Sequence, residues 1–384
     1  MESVATESAA ESDLFPQIRP YPMLRRTGTV IKAAKGSSHR ARIRKLWIAG
    51  IVALALVGST IVVAMTHKMA SSSGAQSEVS PSETETSQSS DASASSPSPS
   101  SSSPSKEARG VPPPSAGFPP NLAGFPSPEN TGPRSTGPEI AGPIATSSSG
   151  QVIEDVTVDG NITIQHDDVV VRDVRVMGTG NYMINIRPKS DGACPANIRI
   201  EFVEIDGENA PSEAIAVYGS EANCGFTFDH SKIVDTGRGI RMGSNVAVSN
   251  SYIYVNRTWD GAHRTALSDN GGSNLQIKNN TLFCELPGCS AALSLYGSLA
   301  PIENVLIEGN LMSTTGQYCI HGGSVSSKDF PSGSNIRIVN NRFSTSLGAR
   351  CGKAGPVASF DDGQDGNALS GNVWHENGEP VGTE

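Results

Sequence analysis

The C-terminal half of this chain carries several side chains suited to chemistry on a sugar: Arg241, Asp260, His263, Asp269 and His321. A glycosidase needs two carboxyl groups across a cleft, about 5–5.5 Å apart for retention or about 6.5–9.5 Å for inversion. Asp260 with Asp269 is one candidate pair, and Asp361 with Asp362 is another. The run DDGQDG at 361–366 reads better as a turn, since Asp and Gly favour turn backbone. A lyase needs a base and something to neutralise the substrate carboxylate, often Ca²⁺ held by carboxylates. Arg241, His263 and His321 are the candidate bases. No dense acidic cluster supplies Ca²⁺ ligands, and no CxxC pair or clustered His suggests zinc. No cofactor and no resident metal are therefore expected. Substrate contact falls to Arg187, Tyr218 and Tyr296. An Arg fork suits a carboxylate, and a Tyr ring offers an apolar face with a hydroxyl at its edge.

These residues sit between copies of a nine-residue phrase. It reads DVVVRDVRV at 168, NIRIEFVEI at 197, GFTFDHSKI at 225, NVAVSNSYI at 245, NLQIKNNTL at 274, NVLIEGNLM at 304, NIRIVNNRF at 335 and GNALSGNVW at 366. The separations are 29, 28, 20, 29, 30, 31 and 31 residues, the period of a solenoid. All copies but the last are apolar at positions two and four, which a strand sends to one face. The last copy has Asn367 at position two, as a terminal coil would. Position nine is apolar again, at Ile253, Leu282, Met312, Phe343 and Trp374. Each phrase is thus strand, tight corner, strand around one interior. The corner residue is Asn280, Asn310, Asn341 and Asn372 in the last four copies. Asn tolerates left-handed backbone angles, and stacked amides can bond along the solenoid axis. The phrase is scaffold, and function lies elsewhere on the coil.

A third strand follows each loop: MINIR at 183, AIAVY at 214, GIRM at 239, TALSD at 265, AALSLY at 291, YCIHG at 318 and VASF at 357. Three strands per coil predict an all-β fold, a parallel β-helix with coils about 4.8 Å apart. It should be right-handed, as parallel crossovers almost always are. The six cysteines, at 194, 224, 284, 289, 319 and 351, allow 15 pairings in principle. Cys194 and Cys224 each precede a first strand of adjacent coils, so stacking brings them together. Cys284 and Cys289 close the small loop CELPGC, which leaves Cys319 with Cys351.

The rest of the chain is organised around this solenoid at 151–384. Residues 1–45 are polar and end in the basic HRARIRK. Residues 46–66, LWIAGIVALALVGSTIVVAMT, carry no charge. About 21 residues of helix span about 30 Å, the thickness of the bilayer interior. A retained signal-anchor fits better than a cleaved signal peptide. The apolar run is too long, the leading segment too extended and the cleavage pattern around HKMASS too poor. Cations before the span put the N-terminus in the cytoplasm and the rest outside the cell membrane. Residues 67–110 are Ser/Pro-rich and predict a disordered stalk, whose apolar surface is too small to offset ordering entropy. Residues 111–150 are a Pro/Gly-rich lead-in with apolar anchors at Phe118, Phe125, Ile140 and Ile144, expected to lie against the solenoid. The net charge of −9 and the absence of a basic stripe in the C-terminal half exclude nucleic acid as a partner.

The segments AGFPSPENTGP, VIEDVTVDGNITI and DDVVVRDVRVMG resemble bacterial, actinobacterial-type right-handed parallel β-helix proteins of the pectate-lyase-like superfamily. The resemblance covers about 117–378. It implies a ligand groove along the outer face of the third strands. Alternation then points Asn185, Arg187, Tyr218, Arg241, Ser268, Ser294, Tyr296 and His321 outward, with Asp260, His263, Arg264 and Asp269 on loops leaning over them. Relatives of this layout carry a segment like HNDGIQ after the phrase that ends NSYI. Here HRTALS at 263–268 keeps His263 but has Thr265 at the acidic position and Ser268 at the amide position. The expected function is therefore a membrane-anchored extracytoplasmic module that contacts polysaccharide or a cell-wall polymer, non-catalytic or of cryptic activity. The alternative is a polysaccharide lyase or glycoside hydrolase acting on an acidic polysaccharide along that groove.

Overall fold

In a computed structural model, residues 118–381 are described, apart from 136, 138 and 220–222. The expected cytoplasmic tail, membrane span and stalk lie outside them, as does the expected lead-in before 118. Among the described residues there is no helix long and apolar enough to cross a membrane.

Positions two and four of the phrase do what alternation requires. Leu275, Val305 and Ile336 stack in register, as do Val248, Ile277, Ile307 and Ile338, and all are at most 1% exposed. Position nine forms a second stack of Ile233, Ile253, Leu282, Met312, Phe343 and Trp374. Burying each such side chain contributes about 1.5–3 kcal/mol. Every strand pairs in parallel with its counterpart one coil away. The result is an all-β arrangement of a 16-stranded and a nine-stranded parallel sheet around one continuous apolar core.

The larger sheet forks. Its early strands, Val152–Asp159, Val170–Met177 and Arg199–Asp206, run through both arms, bent where Asp155, Asp173 and Phe202 take positive φ. From Phe226–Asp229 onward each coil breaks at the corner and gives one short strand to each arm. Asn280, Asn310, Asn341 and Asn372 occupy that corner, at most 5% exposed. Their amides form a ladder: Asn280 Nδ2 donates to Asn310 Oδ1 at 3.0 Å, Asn310 to Asn341 at 2.9 Å and Asn341 to Asn372 at 3.0 Å. Each of the last three Oδ1 atoms also accepts the backbone N–H of the preceding ladder member. Ser251 and Ser231 continue the column by hydroxyl, accepting Ser231 N at 3.1 Å and Val203 N at 2.9 Å. One expectation is corrected here. The left-handed residue is the one before each corner residue: Asn250 before Ser251, and Asn279, Gly309, Asn340 and Gly371 before the four Asn. The ladder residue itself has ordinary φ, which frees its amide to point inward.

Three disulfides join Cys194 to Cys224, Cys284 to Cys289 and Cys319 to Cys351. The lead-in forms a strap along the outside of the second arm. Phe118 packs 5.3 Å from the rings of Tyr254 and Phe283. Asn121 O accepts His375 Nε2 at 2.7 Å, and Phe125 meets the same His375 ring edge-on. The strap then runs back over successive coils. Pro126 O accepts Thr281 Oγ1, Gly132 N donates to His230 O, and Arg134 forks onto Asp173. It ends as the strand Glu139–Ala141, paired with Val152–Asp159.

Candidate functional site

The nine-stranded sheet aligns one residue from each coil in a single row. Register runs Thr163, Asn185, Tyr218, Arg241, Ser268, Ser294, His321 and Ala358. The residues just before them, Ile184, Val217, Ile240, Leu267, Leu293 and Ile320, are at most 1% exposed and line the core. The row therefore faces outward. Its members are spaced about 4.8 Å apart, so Arg241 and His321 are rooted about 14 Å apart.

Aromatic and cationic groups collect along it. Tyr182 stacks on Tyr218 with ring centroids 4.5 Å apart. The Arg238 guanidinium lies 4.5 Å over the Trp259 ring and donates to the carbonyls of Glu213 and His263. Burial, then the nearby Arg241 charge, lowers the Arg238 pKa. Arg241 Nε is itself buried without a partner. At the other end, His321 lies 5.4 Å from the Tyr296 ring and 5.7 Å from Tyr318. Its Nδ1 is buried without a partner, and burial lowers its pKa, which favours the uncharged imidazole. Lys328 Nζ stands 5.3 Å from the Tyr296 ring. Burial raises the Tyr296 phenol against a smaller opposing pull from Ser294. Ser294 Oγ is buried and makes no contact of hydrogen-bond quality.

Comparisons with family descriptions, with characterised proteins and with solved structures find no match to this chain. The site must be understood from its own geometry.

Several expected members are elsewhere. Asp269 aligns with Leu295 and Gly322, and it points into the core at 1% exposure. Its Oδ1 accepts Gly271 N at 2.7 Å, while Oδ2 has no partner. Burial pushes its pKa up to about 6. It cannot form a carboxylate pair across a groove with Asp260, which is exposed on a loop. Arg264 does not lean over the row either. It is 1% exposed and inserts into the loop closed by Cys284 and Cys289. There it donates to the carbonyls of Arg257, Glu285, Leu286 and Pro287. Its role is to hold loops together, and desolvation lowers its pKa to about 10. Asp361 closes a turn, accepting Gly363 N and Gln364 Nε2. His263 is exposed, with its carbonyl engaged by Arg238. Arg187 is exposed just beyond the strand Tyr182–Ile186.

The row thus carries no carboxylate. Among the described residues no group of three or more His, Cys, Asp or Glu is placed to hold a metal ion. The structure adds Tyr182, Arg238, Trp259, Tyr318 and Lys328 to the site. Tyr182 and Tyr318 each open a third strand, a position the alternation could have shown. Lys328 comes from a loop with no pattern to mark it.

Proposed function

We propose that this chain displays a right-handed parallel β-helix of the pectate-lyase-like kind outside the cell membrane, anchored through residues 46–66. In this reading the β-helix holds an acidic polysaccharide along the outer row of its nine-stranded sheet. The supporting observation is the pair of buried, unpartnered nitrogens, Arg241 Nε and His321 Nδ1, three coils apart in one strand register. A buried polar atom without a partner costs about 1–3 kcal/mol, and a ligand hydroxyl or carboxylate would relieve that cost. The cations Arg187, Arg238, Arg241 and Lys328 face no carboxylate on the row, which suits an anionic chain. The stacked Tyr182 and Tyr218 offer a platform for a sugar ring.

A lyase is the second reading. It is favoured by His321 beside the Tyr296 ring, a candidate base whose aromatic neighbour also has Lys328 Nζ 5.3 Å from its centroid. One experiment separates the two. The protein is incubated with polygalacturonate and with a neutral glucan, and bound polymer and unsaturated-uronate absorbance are followed. Retention of polygalacturonate without new absorbance, weakened in Arg241→Ala, supports binding. Absorbance that disappears in His321→Ala supports the lyase. Neither retention nor absorbance would end both.

A further inference from the structure

A second cleft lies on another face, between the strap and the last two coils. It encloses about 950 Å³ and is lined by Phe118, Pro119, Phe125, Arg342, His375 and Glu376, among others. That is within the range of small-molecule sites, roughly 300–1,000 Å³. Its charges are arranged unusually. The Arg342 side chain makes no hydrogen bond or ion pair with any described residue, although Glu376 lines the same cleft. Glu376 is held in place: its Oε1 accepts Ser344 Oγ at 2.6 Å and Thr345 N at 2.8 Å. Among the described residues none bonds Oε2. His375 is likewise fixed, its Nε2 donating to Asn121 O. One cation and one anion thus face a shared space without neutralising each other. Phe and Pro side chains fill the remaining wall.

We infer that this cleft binds a small zwitterionic ligand with an apolar body. Arg342 takes its carboxylate through a forked, charge-assisted pair, and Glu376 takes its ammonium. The Phe118 and Phe125 rings cover the apolar part. Free apolar amino acids and short apolar peptides share this chemistry. The site is independent of the polysaccharide row and would stand if that reading failed.

The test is a calorimetric titration of the full-length protein with leucine, dileucine, N-acetylleucine and leucinamide. Saturable binding of leucine or dileucine at a Kd of about 1 mM or tighter is expected, with the tighter of the two naming the source. Each blocked ligand should bind at least tenfold more weakly. Two variants then assign the contacts. Arg342→Met should abolish the difference between leucine and leucinamide. Glu376→Gln keeps the acceptor for Ser344 and Thr345 and should abolish the difference between leucine and N-acetylleucine. Because each variant is scored by a ratio between ligands, partial loss of folded protein does not imitate the result. Absence of saturable binding, or blocking penalties unchanged in the variants, would overturn the inference.

Discussion

Two columns of polar side chains run across the stacked coils, and they are treated in opposite ways. At the corner, Ser231, Ser251, Asn280, Asn310, Asn341 and Asn372 bond to each other and to the backbone coil after coil. On the nine-stranded sheet, Arg241 and His321 occupy equally regular positions but leave buried nitrogens unpaired. A parallel stack offers every coil the same partners, so a column can be satisfied wherever the sequence permits. The corner shows satisfaction carried through. The outer row shows it withheld, and the proposed ligand site rests on that difference.

The most damaging way to probe this contrast is to break the corner. Asn310 accepts from Asn280 and donates to Asn341 and to Ile277 O. Asn310→Leu strands several buried groups, each costing about 1–3 kcal/mol, so a loss of about 3 kcal/mol or more is expected in denaturant unfolding. A loss under about 1 kcal/mol would mean that the ladder is decoration.

Asp269 tests the interior, where a polar atom is unsatisfied with no ligand to serve. Its folded pKa, about 6, lies above its ordinary value. The folded state therefore favours the protonated acid. That advantage is present at low pH and is lost as pH rises through 6. Asp269→Asn keeps the acceptor for Gly271 N and removes the charge. It should stabilise the protein by about 1–2 kcal/mol at pH 7 and by little at pH 4. Equal effects at both pH values would show that the carboxyl does not titrate in this range.

Arg241→Ala gives the smallest change in stability, within about 1 kcal/mol, because the side chain gives up no bond made by its Nε. Its effect should appear in affinity, as a loss of about tenfold for polygalacturonate measured in 0.15 M salt. A stability loss like that of Asn310→Leu, with affinity intact, would place Arg241 in the scaffold.

The repeat was legible because its signal is local and periodic. Alternation at Leu275 and Ile277, the apolar ninth position and the stacking of Cys194 on Cys224 all follow from one alignment. The outward row was legible for the same reason. Asp269 is expected on a loop over the row but stands in the core, where Met242 and Leu295 stand in neighbouring coils, because a carboxylate after Ser268 looks like the start of a loop. A local turn bond, from Gly271 N to Asp269 Oδ1, holds one carboxylate oxygen inside the coil. Arg264 was misplaced because its partners are carbonyls of the next coil's disulfide loop, and carbonyls leave no mark in sequence. The left-handed corner residue was assigned one position late, since both positions favour Asn.

The strap has a mechanical consequence. A pull on the chain before Phe118 does not arrive at the first coil. It enters beside Tyr254 and Phe283, midway along the stack of coils. It must then free Phe125 from His375, Pro126 from Thr281, Gly132 from His230 and Arg134 from Asp173, one after another. Tension is spent on a row of small, separately reversible contacts before any strand of the coil is loaded. The strap acts as a shock absorber, yielding by peeling and resetting by lying down again.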